Sequence, residues 1–140
     1  MTLLIDAGPL VALADPDEPR RDAILDTLRD EQGALIIPAP ATAEVDYLLG
    51  RRFASPARRA FLADLTAGRF SVESLERDDY ATVADLEARY SDLELGFVDC
   101  ALVVLADRHQ TARTLTLDER HFRAVTPLRG DAFTVLPSDG

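Results

Sequence analysis

The sequence predicts an α/β protein, a three-layer α/β/α domain built on a central parallel sheet of four to five strands. Two observations carry this. Short apolar runs rich in leucine, isoleucine, valine and threonine recur along the chain, and segments of helical periodicity separate them. Strands that alternate with helices form parallel sheets covered on both faces. No repeat, low-complexity tract or long linker interrupts the alternation. The 140 residues are therefore expected to form one domain over 1–140, long enough to bury roughly two-thirds of the unfolded surface.

The elements follow in order. Leu3-Leu4-Ile5 is of strand type and stops at Asp6, after which apolar character resumes at Leu10-Val11-Ala12-Leu13. "ADPDEP" reads as a turn. In "DEPRRDAILDTLRDEQG", Ile24, Leu25 and Leu28 share a helical face, and Gly33 stops the helix. "ALIIP" at 34–38 is a second strand closed by Pro38. In "TAEVDYLLGRRF", Val45, Leu48, Leu49 and Phe53 lie on one helical face, and "ASPA" opens a further helix. "RFSVESL" at 69–75 is a weaker strand that alternates at Phe70 and Val72. "GFVDCALVVLADRH" carries a helical stripe of Val98, Ala101, Leu102, Leu105 and Ala106. "TLTLD" at 114–118 and "AFTVLP" at 132–137 supply the last strands.

Composition excludes several functions. The formal net charge is −10, which disfavours loose, charge-driven attachment to nucleic acid or anionic lipid. All 15 basic residues are arginine. Without lysine there is no Walker A phosphate loop and no Schiff-base chemistry. The single cysteine, Cys100, forbids an internal disulfide and fits a reducing, cytoplasmic setting. No basic residue precedes the first apolar run, so it is not read as a signal peptide. The most apolar later window, "LGFVDCALVVLA", is 12 residues long and holds Asp99. It is too short and too charged to span a bilayer, and no membrane partner is expected.

Most of the 25 acids lie on polar helix faces. Four stand where chain and sheet chemistry meet. Asp6 and Asp118 each end an apolar strand. Glu44 and Asp99 are expected in the first turns of helices that follow. One such acid is explained by helix capping or by the helix dipole. Four at the carboxyl edge of one sheet are not, because converging carboxylates repel and need protons or a cation. That edge, near the topological switch point, is where parallel sheets bind ligands. No His/Cys cluster accompanies the acids, so zinc is not indicated. Oxygen ligation favours Mg²⁺ or Mn²⁺ and, through them, phosphodiester or phosphoryl chemistry. His109 and His121 are read as surface or helix-end residues.

Taken together, "LLIDAGPLVAL", "PAPATAEVDYLLGRRF", "LGFVDCALVVLADRH" and "TLTLDERHF" resemble the PIN-domain proteins, and among them the VapC-type toxin ribonucleases of toxin–antitoxin pairs. The resemblance runs from residue 2 to about 136, with successive acids 38, 55 and 19 residues apart. It implies a PIN-like fold and a Mg²⁺- or Mn²⁺-dependent endoribonuclease that hydrolyses RNA with a metal-activated water. It assigns the acidic quartet to Asp6, Glu44, Asp99 and Asp118, as catalytic residues and metal ligands, and a supporting hydroxyl to Thr116. One position departs. Gly8 stands two residues after the first acid, where the family often has Ser or Thr, so that hydrogen bond to Asp6 is expected to be missing or replaced by water.

RNA must still be held by an acidic protein. "LLGRRFASPARRAFLA" carries Arg51, Arg52, Arg58 and Arg59, and no acid occurs between 47 and 63. These arginines are candidates for RNA or antitoxin contact, or else they solvate two helix faces. The resemblance implies a homodimer, to which this helical pair contributes, and a cognate antitoxin. Other classes fit less well. A receiver domain requires a lysine on its last strand, and a haloacid-type phosphatase requires two aspartates one residue apart after the first strand. A PIN-like binding module without catalytic activity, acting through protein or RNA contacts, is the alternative from a different functional class.

Overall fold

The structure is a computed structural model and describes residues 1–140. In chain order it contains β1 (Leu3–Ile5), α1 (Ala7–Ala12), α2 (Arg21–Asp30), β2 (Leu35–Pro38), α3 (Ala39–Arg52), α4 (Ser55–Thr66) and β3 (Ser71–Glu73). There follow α5 (Asp79–Arg89), a 3₁₀ turn (Ser91–Leu93), α6 (Phe97–Arg108), β4 (Arg113–Leu115), α7 (Glu119–Ala124) and β5 (Thr134–Leu136). All five strands are parallel, in the order β3-β2-β1-β4-β5. The expected α/β class and parallel sheet are borne out, at the upper strand count.

The pleat divides the core. Leu3, Ile5, Ile37, Leu115 and Leu136 face one way, against Ile24 of α2, Val45 and Leu49 of α3 and Phe61 of α4. Leu4, Ile36 and Val135 face the other way, against Leu86 of α5, α6, and Phe122 of α7. Strands buried on both faces read as unbroken apolar runs, and β1 and β2 do so.

Several elements differ from the sequence reading: it does not anticipate α5 and α7, β4 and β5 are shorter than expected, and three more differ in detail. The helix expected from Thr42 begins at Ala39, because Pro40 occupies a first-turn position whose N–H has no helical partner in any case. The helix carrying Asp99 is more than an apolar stripe: Cys100 to Ala106 are all buried, since α6 lies between the sheet and α5. β3 is an edge strand with Val72 exposed, which accounts for its weak sequence signal. No helix is long and apolar enough to cross a membrane.

Candidate active site

Parallel strands place all their carboxyl ends on one edge. Along the sheet, β1, β2 and β3 run outward one way and β4 and β5 the other, so the order reverses between β1 and β4. Register pairs Ile5 with Leu115, and the Asp6 N–H donates to Leu115 O at 3.0 Å. Asp6 therefore leaves β1 directly beside the segment 116–118 that leaves β4.

Asp6 is 8% exposed. It also caps α1: Oδ1 accepts from the Ala7 N–H at 2.8 Å. Its other oxygen, Oδ2, accepts from the Thr116 hydroxyl at 2.8 Å, and Thr116 Oγ1 accepts from the Asp118 N–H at 3.0 Å. Thr116 thus ties the first acid of the quartet to the backbone of the last. The support that Gly8 does not give Asp6 comes from Thr116 and from the helix start. Burial pushes the Asp6 carboxyl up to about 6, against the two hydrogen bonds and with help from the nearby charges of Asp99 and Glu44.

Asp99 sits in the first turn of α6, as expected, and its Oδ2 accepts from the Gly96 N–H at 3.1 Å. Burial raises its pKa, opposed by the Gly96 N–H and by His121. Asp118 caps α7, accepting from the His121 N–H at 3.3 Å, and is 42% exposed. Glu44 is a correction. It lies in the second turn of α3, not the first, because the helix starts three residues early, and its side chain is exposed. The four acids nonetheless line one cavity of about 590 Å³, together with Gly8, Gly96 and Phe97.

His121 is corrected in part: it lies at a helix end, one of the two expected settings, but not on the surface, since its side chain is 16% exposed and sits among the acids. Nδ1 lies 2.7 Å from Asp118 Oδ2 and 3.1 Å from Asp99 Oδ2, and Nε2 donates to Leu93 O at 2.9 Å. Asp99, Asp118 and His121 offer donor atoms all within 4.8 Å of one another. The available signal was the i, i+3 spacing from Asp118, which places His121 on the first turn of the helix that Asp118 caps. His109 behaves as expected, at the end of α6, 2.7 Å from Glu73.

The four arginines separate. Arg58 reaches back from α4 and donates to both oxygens of Asp46 on α3, at 2.9 and 3.0 Å. Its side chain crosses α3 at Gly50, where a Cβ would lie 2.8 Å from Arg58 Cδ. Arg52 lies 3.7 Å from Asp15 and over the Phe53 ring. Arg51 and Arg59 are exposed and make no ion pair in the structure. The only salt-bridge partner of any quartet member is His121.

A sheet edge that gathers four acids at its switch point defines a class, and the sequence falls within it. The family model for the PIN domain matches residues 3–126, and the chain belongs to the PIN-domain family. Over 135 residues it is 36% identical to Ribonuclease VapC26 of Mycobacterium tuberculosis, covering 96% of this chain and 100% of that protein. The fold is similar to that of M. tuberculosis VapC20, described as a sarcin-ricin loop cleaving toxin, with a TM-score of 0.73 and 17% identity over 80% of this chain and 86% of that one. It is similar also to a toxin–antitoxin complex from Klebsiella pneumoniae, with a TM-score of 0.67 and 17% identity over 91% and 99% of the two chains.

Proposed function

We propose that the protein is a VapC-type toxin, a divalent-metal-dependent endoribonuclease formed by one PIN-like domain over residues 1–140 and acting in the cytoplasm. One observation carries this: four acids line a single cavity at the switch point with no arginine paired to them. Carboxylates that share a partly buried site with no guanidinium partner, and only the titratable His121 beside two of them, call for an added proton or cation. The donor set fits a cation. Carboxylate oxygens suit Mg²⁺ or Mn²⁺, and the His121 imidazole is a ligand more familiar to transition metals, which favours Mn²⁺. Asp6 and Asp99, the more buried acids, are the first choice for direct ligands, with Asp118 and Glu44 completing the set. A bound divalent ion supplies positive charge at the scissile phosphate and lowers the pKa of a water nucleophile.

The chain's own groups do the rest. Thr116 holds Asp6 and the Asp118 backbone in fixed relation, and the Gly96 N–H orients Asp99. Glu44 and Asp118, on the open side, are placed to orient the attacking water or accept its proton. Arg51 and Arg59, unpaired on α3 and α4, are the better candidates for RNA phosphates. Arg58, bound to Asp46, staples the helical pair. Exposed Tyr47 on α3 and Leu62 on α4 give that pair apolar surface for a second copy. An apolar furrow of about 400 Å³, lined by Leu10, Leu13, Leu49, Ala57 and Phe61, suits apolar side chains of a cognate antitoxin.

The test is cleavage of RNA by purified protein with Mg²⁺ or Mn²⁺, against the same preparation carrying Asp99→Asn. Metal-dependent cleavage lost in the variant supports the proposal. Equal cleavage by both proteins marks a contaminant and ends it.

A further inference from the structure

Two large aromatic rings lie outside both core clusters and on the surface. Tyr80, the second residue of α5, is 54% exposed, and Phe97, the first residue of α6, is 42% exposed. Their centroids are 5.9 Å apart and their planes differ by 18°, an offset stack. Neither ring packs into the two hydrophobic clusters of the domain. Each residue keeps roughly half of its surface in water, where that area adds nothing to the fold.

Their position connects them to the acids. Phe97 precedes Asp99 by two residues on the first turn of α6 and forms part of the wall of the acidic cavity. Tyr80 does not line that cavity. It braces the Phe97 ring through the stack. A flat, rigid ring thus stands at the rim of the site, continuous with the residues assigned to the scissile phosphate.

We infer that the Phe97 ring, braced by Tyr80, is a stacking subsite for one unpaired base of the RNA substrate next to the cleaved phosphate. This rests on the ribonuclease reading and goes beyond it by naming how a nucleotide is held. Every base has a π-face, and single-stranded nucleic acid is commonly gripped by stacking on aromatic side chains. An uncharged contact is the kind this molecule needs. At a net charge of −10, long-range attraction cannot hold the strand, and the four acids repel its phosphates. Stacking also fixes the nucleotide's distance and orientation relative to the cavity, which a flexible arginine contact does less well.

The test uses Asp99→Asn protein in Mg²⁺, so that RNA is bound and not cut. The probes are a short oligoadenylate and an abasic phosphodiester oligomer of equal length and charge. Oligoadenylate is expected to bind more tightly by about 5- to 150-fold, the value of stacking one base. Adding Phe97→Leu should erase that preference while leaving the melting temperature and the salt dependence unchanged. The sequence has no tryptophan, so Phe97→Trp supplies a single indole at the rim. It should keep the preference, and its fluorescence should be quenched by oligoadenylate and not by the abasic oligomer. A preference that survives Phe97→Leu, or an indole indifferent to saturating oligoadenylate, overturns the subsite. Metal-dependent cleavage by the unmodified protein, measured alongside, separates the two failures. If cleavage is present, only the subsite falls. If cleavage and binding are both absent, the ribonuclease reading falls and the subsite with it.

Discussion

Asp6 and Asp139 are the same residue in two settings of one molecule. Asp139, near the chain end, receives a fork of two hydrogen bonds from Arg123, at 2.8 and 2.7 Å, and one from the Val135 N–H. Arg123 above all holds its carboxyl down to about 2. Asp6 has no arginine, lies in the interior beside Asp99 and Glu44, and is pushed up to about 6. Where a carboxylate meets a guanidinium, the structure is complete as it stands. Where carboxylates meet one another, it is complete only with a proton or a cation. Arg58 with Asp46 and Arg113 with Glu31 belong to the first kind. The edge between β1 and β4 is the one place of the second kind, and function is assigned there on that ground.

The largest effect should come from neutralising the crowded side. Asp99→Asn is expected to lower metal-dependent cleavage by about 10²-fold or more, the scale of losing one well-placed electrostatic group. Arg123→Gln should leave cleavage unchanged and only lower the melting temperature slightly. Kinetics on the two variants under one metal concentration compare the regions directly. Equal losses in both would break the distinction.

The pH dependence is the next largest. Asp6 has its folded pKa raised from 3.8 to about 6, so between these values the folded state binds the extra proton. Its contribution to stability is fully present below about pH 4 and is lost as pH rises through 6. A shift of this size corresponds to about 3 kcal/mol. Urea unfolding in chelator at pH 4.5 and 7.5 should show wild type weakening with rising pH, and Asp6→Asn should show much less of that slope. Saturating Mn²⁺ at pH 7.5 should restore wild-type stability, by about 2.7 kcal/mol at 100 times the dissociation constant. A wild-type slope that survives in Asp6→Asn would place the titrating group elsewhere.

What the sequence disclosed follows the same division. Asp6, Asp99 and Asp118 were legible because each interrupts or borders an apolar run, and a charge there is costly unless it is used. Glu44 was legible as an acid but misplaced by a turn, since Pro38 reads as the close of a strand with a turn after it and in fact stands directly before a helix that Pro40 opens. His121 was missed as a site residue. Its i, i+3 spacing from Asp118 was a local signal, but its meeting with Asp99, 22 residues away in the chain, is one that no local pattern encodes. Arg58 read as a free cation because its partner Asp46 stands just outside the acid-free stretch. α5 left no trace because Leu86 is its only buried residue, too little to mark a helical period. Phe97 passed for an ordinary apolar residue, because exposure is a tertiary fact.

Thr116 gives a smaller effect that sharpens the comparison. Its hydroxyl is the one side-chain donor to Asp6 and also accepts from the Asp118 N–H. Thr116→Val keeps the shape and removes both bonds. The ionised form of Asp6 then loses a donor, so its pKa rises further and the pH of half-maximal cleavage moves alkaline. Cleavage at pH 7.5 should fall roughly 10- to 100-fold, the usual cost of losing a group that orients a metal-site residue. Thr116→Ser retains the donor and should restore both the rate and the pH profile. An unshifted profile in Thr116→Val would mean that the Ala7 N–H alone sustains Asp6.

The smallest expected effect is at Gly8. It lies in α1, lines the acidic cavity and is followed by Pro9. A Cβ there would meet Leu117 Cβ at 3.8 Å, an ordinary contact, so space does not demand glycine. The neighbouring proline does. A residue before proline is disfavoured in the helical region because its Cβ and N–H crowd the proline ring, and glycine, lacking the Cβ, eases that crowding. Gly8 and Pro9 are therefore expected to act as a pair. Gly8→Ser alone should lower the melting temperature by a few degrees, on the order of 1 kcal/mol for a domain of this size. Adding Pro9→Ala should recover it, since serine is then an unstrained and better helix former than glycine. In the double variant the new hydroxyl, two residues after Asp6, is expected to offer that carboxylate a further donor. A second donor favours the ionised carboxylate, so the pH of half-maximal cleavage should move acid, opposite to Thr116→Val. Melting curves on the single and double variants, with one pH–rate profile, decide this. A single variant as stable as the wild type would sever Gly8 from Pro9. An unmoved profile in the double variant would show that Thr116 and the Ala7 N–H already satisfy Asp6.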